Sequence, residues 1–441
     1  MVWRNVAGTM DDIELGGFGA DKDVATLKKQ VRTACCCAGF GVFIGWLSFG
    51  IAVATPAGLI SGWEPFVHPT GVVLSSAGAV APDGYVLGDS VFKGQGQWAE
   101  IPAMPRQLSD LSAVVFQADD EDMVMILGGM DENDACSDAA TQYDPLLKKY
   151  TELAPMPSPR VRFAAAFASG RVFVAGGFLC SGPNGTVDAV ATDTVHVYDV
   201  AAGTWSNGAS TAVKRADPCA AAIGNSIYLV GGYDTEDNYA QLGTVEVLDA
   251  SVNPVLSTWT EGPPLPTPRG DTSCIVMDGH LGVLGGWNAD WTAPLGTFET
   301  MHGGKWTKRP DMRQPRGDFG AAVLPGGRLV VAGGEKAARA RTQIAMHEAD
   351  MFSLDLGVWV EVAPIVSPRF RFAAVAVGTS NGRGEILAFG GHSACTTNFD
   401  PSTYEIVSND CPETAKSSAE AFLTVSHTPL FYYVEGGSAS T

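Results

Sequence analysis

The sequence predicts an all-β fold, a closed β-propeller, from three observations. Seven times an apolar run ends in Gly-Gly, at Gly128, Gly176, Gly231, Gly285, Gly333, Gly390 and Gly436. The separations run from 46 residues (Gly390 to Gly436) to 57 (Gly333 to Gly390). A period near ~50 residues marks units that each form one small sheet and bury its faces only when neighbours stack on it. One aromatic recurs between the glycine pairs, as Tyr150, Trp205, Trp259, Trp306, Trp359 and Tyr404, with Trp98 ahead of the first. Finally, 52 glycines and 26 prolines with only 17% charged residues suit short strands and tight turns, because both residues are poor in helix interiors.

Each unit reads as four strands. After the glycines comes a polar loop, then a strand ending in an apolar or aromatic residue plus Asp, as in HVYD (196–199), EVLD (246–249) and FSLD (352–355). A short turn delivers the Trp strand. Proline-rich crossings follow, PMPSPR, PLPTPR and PIVSPR, whose missing N–H groups suit a segment leaving one sheet for the next. An inner strand of small residues and the double-glycine strand complete the unit. The first unit lacks its inner two strands, and the last stops after its double glycine. Two half units add to one, so seven blades are expected, the seventh made by both termini, which removes free sheet edges. The alternative is six blades with residues 412–441 as an appended tail.

In its order of Gly-Gly, aromatic-Asp, Trp and Pro-Arg, the repeat resembles that of the kelch family, from about Gly84 to Gly437. The resemblance implies a seven-bladed (alternatively six-bladed) kelch-type propeller over 84–441, in the superfamily that includes copper oxidases. Those oxidases need a set of Tyr, His and Cys ligands that cannot be placed on seven scattered histidines.

The chain opens differently. No residue from Ala34 to Trp63 is charged, a run longer than the ~20 apolar residues that span a bilayer as a helix. The expected organisation is a cytosolic segment (1–33), a transmembrane signal-anchor helix (34–62), a linker (63–83) and the propeller. Lys28, Lys29 and Arg32 precede the run and the next Lys or Arg is Lys93, so the N-terminus stays cytosolic and the propeller is lumenal or extracellular. A cleaved signal peptide ending at AVA (52–54) is the alternative, and it exports the same domain.

An exported propeller permits disulfides. Cys395 and Cys411 lie close within one unit, and Cys136 and Cys180 follow consecutive glycine pairs, so these two bridges are expected. Cys219 and Cys274 occupy similar strands, as thiols or as a bridge. Asn184 in NGT is a candidate glycosylation acceptor.

A formal charge of −20 excludes nucleic acid as a partner, since phosphate backbones would be repelled. No zinc spacing, phosphate loop or nucleophile elbow occurs, so no catalytic residue, metal ligand or cofactor is assigned. Two groups of residues are binding candidates. Tyr233, Asp234, Trp287, Asp290 and Trp291, on loops after glycine pairs, could hold sugar rings or a calcium ion on a rim. Counting back from the glycines also aligns one arginine per unit: Arg106, Arg160, Arg215, Arg269, Arg316 and Arg369. Two residues further on the units read Leu108, Arg162, Asp217, Asp271, Asp318, Arg371 and Phe422. This register gathers Arg162, Asp217, Asp271, Asp318 and Arg371 around one channel mouth, either as an internal salt-bridge ring or as a pocket for a zwitterionic or cationic ligand. SPRVRF and SPRFRF resemble segments with which some kelch adaptors grip acidic peptides, but three aspartates at the equivalent site argue against an acidic ligand. The expected function is a membrane-anchored propeller that binds a protein or glycan partner without turnover. The alternative is a carbohydrate-active enzyme, an oxidase or sugar isomerase.

Overall fold

The structure is a computed structural model that describes residues 43–47, 50–55, 58–59, 96–118, 121–181, 187–188, 190–289, 292–337, 343–354, 357–378, 384–393, 396–399, 406–410 and 417–424. The chain divides into two units, Gly88–His427 and a second made of Met1–Leu87 with Thr428–Thr441.

Gly88–His427 is a propeller of six four-stranded antiparallel sheets. Their innermost strands are Ser112–Ala118, Ala164–Ala168, Cys219–Ile223, Ser273–Met277, Gly320–Leu324 and Ala373–Gly378, and each contacts the next until the sixth returns to the first. These strands are rich in alanine, glycine and serine because six of them crowd one axis. In every blade the double-glycine strand comes second, as in Arg171–Ala175, where Val172 and Val174 are fully enclosed. Four of the outer tryptophans behave alike. The Trp205 indole N–H donates to the Ala154 carbonyl at 2.7 Å, Trp259 to Ala209 at 2.9 Å, Trp306 to Pro263 at 3.0 Å and Trp359 to Pro310 at 2.9 Å. Each ring thus fills the gap to the preceding blade and satisfies its own polar atom.

Double glycines are required because neighbouring backbone comes too close for a Cβ. At Gly232 (φ +96°) the amide donates to the Arg269 carbonyl of the following blade at 2.8 Å, and a Cβ would lie 2.4 Å from the Ala216 carbonyl. The aligned arginines hold the same joint from the other side. Arg269 is fully buried, donating to the Gly285 carbonyl at 3.0 Å and to Glu299 at 2.6 Å, and Arg316 repeats this with Gly333 and Asp350. Arg215 pairs with Glu246, and Arg369 with Glu420. Arg160 instead meets Thr194, and His196 occupies the carboxylate's register.

Closure corrects the expected blade number from seven to six. Ala419–Thr424, read as an inner strand of a seventh blade, is the third strand of the sixth, with Phe389 opposite Ala419. Gly96–Ile101 supplies the fourth, with Trp98 opposite Phe422. The two termini do share a blade, as expected, but among the described residues there is no seventh four-stranded sheet, and 419–424 belong to the sixth rather than to an appended tail. The misreading arises after Gly391, where Thr396–Phe399 and Ile406–Asp410 pair into a separate two-stranded sheet, which imitates the outer half of a unit. Tyr404 and the last glycine pair lie outside the described residues.

In the other unit, the described residues within 34–62 form strands Phe43–Leu47, Gly50–Thr55 and Gly58–Leu59, a three-stranded antiparallel sheet in place of the expected helix. Gly45 and Gly50 disfavour helix, and Ile44, Ile51 and Val53 favour strand. Among the described residues no helix is long and apolar enough to cross a membrane.

Disulfides join Cys136 to Cys180, as expected, and Cys219 to Cys274, linking the innermost strands of the third and fourth blades. Cys395, Cys411 and Asn184 lie outside the described residues.

Candidate functional site

Two residues before each innermost strand the chain presents one side chain to the same mouth of the channel: Asp110, Arg162, Asp217, Asp271, Asp318 and Arg371. All six have left-handed backbones, with φ between 47° at Asp217 and 54° at Arg162. Asp tolerates this region better than most residues; for Arg162 and Arg371 it costs about 1–2 kcal/mol each. Such strain persists where surrounding structure enforces it, and it clusters at functional sites. Here main-chain hydrogen bonds enforce it. The Asp110 amide donates to the Arg371 carbonyl at 3.0 Å, Arg162 to Asp110 at 3.1 Å, Asp217 to Arg162 at 3.0 Å, Asp318 to Asp271 at 3.0 Å and Arg371 to Asp318 at 2.9 Å.

The five residues expected at the mouth are therefore together, and the structure adds Asp110. Counting back from the glycines put Leu108 in its place and Arg106 in the arginine series. In fact Leu108 takes the arginine position, its carbonyl accepting from the Gly391 amide at 2.9 Å, and Arg106 is exposed beside Glu152. The triplet Leu108-Ser-Asp110 matches the spacing of Arg-Ala-Asp217 and Arg-Gly-Asp271, a signal that was available without the glycines. Phe422 belongs to no such position; it lies in the sixth blade's third strand.

Charge divides the ring into two halves. Asp110 sits between Arg162 (3.0 Å) and Arg371 (3.6 Å), with the His392 Nε2 3.4 Å away. Burial opposes its charge, but Arg371, His392 and Arg162 together hold its carboxyl well below the usual range. The other half is acidic. Asp217 and Asp318 reach Arg162 and Arg371 at 3.3 and 3.2 Å, whereas Asp271 between them accepts only the Tyr233 hydroxyl, at 2.8 Å, through Oδ2. Its Oδ1 is buried and has no hydrogen-bond partner. One oxygen from each of Asp217, Asp271 and Asp318 lies within 4.8 Å of the others. Burial, partly offset by Arg162, pushes Asp217 up to about 6; burial and then the neighbouring Asp318 and Asp217 push Asp271 well above the carboxylate range. The ring opens on a cavity of ≈ 190 Å³ walled by small residues of the innermost strands, including Cys219 and Cys274.

The proposed aromatic rim looks different. Tyr233 and Trp287 are only 1% and 2% exposed and lie beneath the ring: Tyr233 bonds to Asp271, and the Trp287 indole donates to Glu335 at 2.6 Å. Burial and then Asp318 push Glu335 up to about 8. Asp234 accepts the Glu236 amide at 2.9 Å within its own loop. Asp290 and Trp291 lie outside the described residues.

Comparison with known proteins agrees with this architecture. The family described as "Kelch motif" matches residues 214–266. Beta-scruin of Limulus polyphemus is 28% identical over 196 residues, 44% of this chain and 20% of scruin. Kelch-like protein 36 of Rattus norvegicus is 26% identical over 199 residues, 45% of this chain and 30% of that protein. The chain thus spans a third or less of these relatives' length. The solved structure of YjhT superposes with a TM-score of 0.56 over 72% of this chain and 96% of its own, at 15% identity, a likeness of fold alone. Residues 214–266 match the kelch motif and the chain is similar to kelch-repeat proteins over part of its length, in keeping with the ring of Gly-Gly sheets.

Proposed function

We propose that the protein is a non-catalytic binding module, held at a membrane by its uncharged segment 34–63 and presenting the propeller to the lumenal or extracellular side. The single observation that carries the binding role is the polarised ring: six positions with left-handed backbones, guanidinium groups on one half and carboxylates on the other, opening on a cavity. A partner would place a cationic group against Asp217, Asp271 and Asp318. Any anionic group would meet Arg162 and Arg371, whose side chains are still 26% and 22% exposed. Kelch-like relatives make a protein the first candidate partner, and a glycan the second. Membrane attachment rests on the absence of charge over the segment, and crossing the bilayer would need the helix that its length allows, since an open sheet leaves its edges unpaired in lipid. The exported orientation rests on Lys28, Lys29 and Arg32, with the Cys136–Cys180 and Cys219–Cys274 bridges in keeping with an oxidising compartment.

Proximity labelling by the full chain, compared with the Arg162→Gln variant, tests this. Partners on the exported side that are lost in the variant support it. Labelling of cytosolic proteins, or partners unchanged in the variant, would overturn it.

A further inference from the structure

The chemistry of the cation can be taken further. We propose that the acidic half of the ring is a divalent-cation site that takes Ca²⁺, with Asp217, Asp271 and Asp318 as its protein ligands. This rests on the reading above that the acidic half receives a cation, and it names which one.

Four observations carry the assignment. Asp271 is nine-tenths buried, lines the cavity and has an Oδ1 without a partner. An unsatisfied carboxylate oxygen is costly to bury, so the position makes sense with something bound to it. Secondly, the three donor oxygens lie within 4.8 Å of one another, which is no wider than the ~4.6–5.2 Å that two oxygens span across a calcium ion. Thirdly, the six ring residues carry four carboxylates and only two guanidinium groups. Fully ionised, as metal ligands would be, they leave two surplus negative charges, the charge of one divalent cation.

Lastly, the donors are all oxygen. This favours a hard cation over zinc or copper, which take nitrogen and sulfur readily. Magnesium demands near-ideal octahedral geometry, but these three carboxylates are spaced by blade repetition. Calcium accepts six to eight oxygens in irregular arrangements, and the ≈ 190 Å³ cavity leaves room for waters to complete them. Arg162 and Arg371 do not block the ion: each already neutralises one oxygen of Asp217 or Asp318, and both lean on Asp110.

The test uses the detergent-solubilised full chain, stripped with chelator and titrated with Tb³⁺, a luminescent substitute for Ca²⁺. Because the Tyr233 hydroxyl touches Asp271, an ion there should be excited through that ring. The expected result is one equivalent of sensitised luminescence, displaced by Ca²⁺, and weakened about tenfold or more by Asp271→Asn. Asp318→Asn should do the same, and serves if the first variant fails to fold. Glu261→Gln, exposed on an outer strand, should leave binding unchanged. Methylammonium is titrated in parallel by calorimetry. If methylammonium binds in an Asp271-dependent way and Ca²⁺ does not, the metal assignment falls and the cationic-partner reading stands. If neither binds, both fall.

Discussion

Trp98 lies directly opposite Phe422 in the sixth sheet, their ring centroids 5.3 Å apart, although they come from opposite ends of the propeller. The contact fastens the circle: Phe422 is fully buried, and Gly96 leaves room for its ring, since a Cβ there would meet it at 2.1 Å. Phe422→Ala should cost about 3–5 kcal/mol, as removal of a buried aromatic does. Chemical denaturation of Phe422→Ala, Trp98→Ala and the double variant should show coupling between them. Strict additivity would mean that the sheet closes elsewhere.

The buried arginines make a second expectation. Arg369 pairs with Glu420 and donates to the Gly390 and Ser418 carbonyls at 2.8 and 3.0 Å, with no exposure of its own. Removing one partner leaves a buried charge, so Arg369→Leu and Glu420→Leu should each destabilise by about 3–5 kcal/mol. The double variant should lose less than the sum. Unfolding curves showing single losses below about 1 kcal/mol would contradict this.

His196 should make stability depend on pH. It sits where other blades carry Glu246 or Glu299, but beside Arg160 it has no carboxylate to join, and its Nδ1 is buried without a partner. Burial, then Arg160, lowers its pKa to about 4. The folded protein therefore keeps this ring neutral where the unfolded chain, near 6.5, takes up a proton. The stabilisation is present above about 6.5 and is lost as pH falls through 4, worth at most about 3 kcal/mol. His196→Gln should flatten that part of the stability profile; an identical profile would place the effect on other groups.

Most of this architecture was readable because the chain repeats itself. Gly-Gly, outer Trp and inner Arg each answer a local demand that recurs per blade, namely a close carbonyl, an inter-blade gap and a joint to hold. What failed was not periodic. The hairpin Thr396–Asp410 interrupts the sixth blade and imitates a unit, which inflated the count. Leu108 replaces arginine in the first blade, where no carboxylate stands opposite: the third strand there has Thr141 in register with Ile126. That displaced the alignment and hid Asp110. The burial of Tyr233 and Trp287 could not be read from loop composition, since their partners Asp271 and Glu335 come from the following blades, far along the chain.

A disulfide map should find Cys136 bonded to Cys180 and Cys219 to Cys274. It should also find Cys395 bonded to Cys411, because their chain neighbours Thr396 and Asp410 are paired across two strands, and paired positions lie within about 5.5 Å. Peptide mapping under non-reducing conditions checks all three. Free thiols at 136 and 180 would contradict an oxidising compartment.

The most direct measurement is the thermal unfolding midpoint of Asp271→Asn in the presence of chelator. If the acidic half of the ring exists to bind, Asp271 is held against its neighbours Asp217 and Asp318 at a cost. Asparagine can keep the Tyr233 hydrogen bond while removing that repulsion, so the midpoint should stay the same or rise. A midpoint lowered by several degrees would mean that Asp271 is a structural member of a salt-bridge ring and that the channel mouth is closed by design rather than open to a ligand.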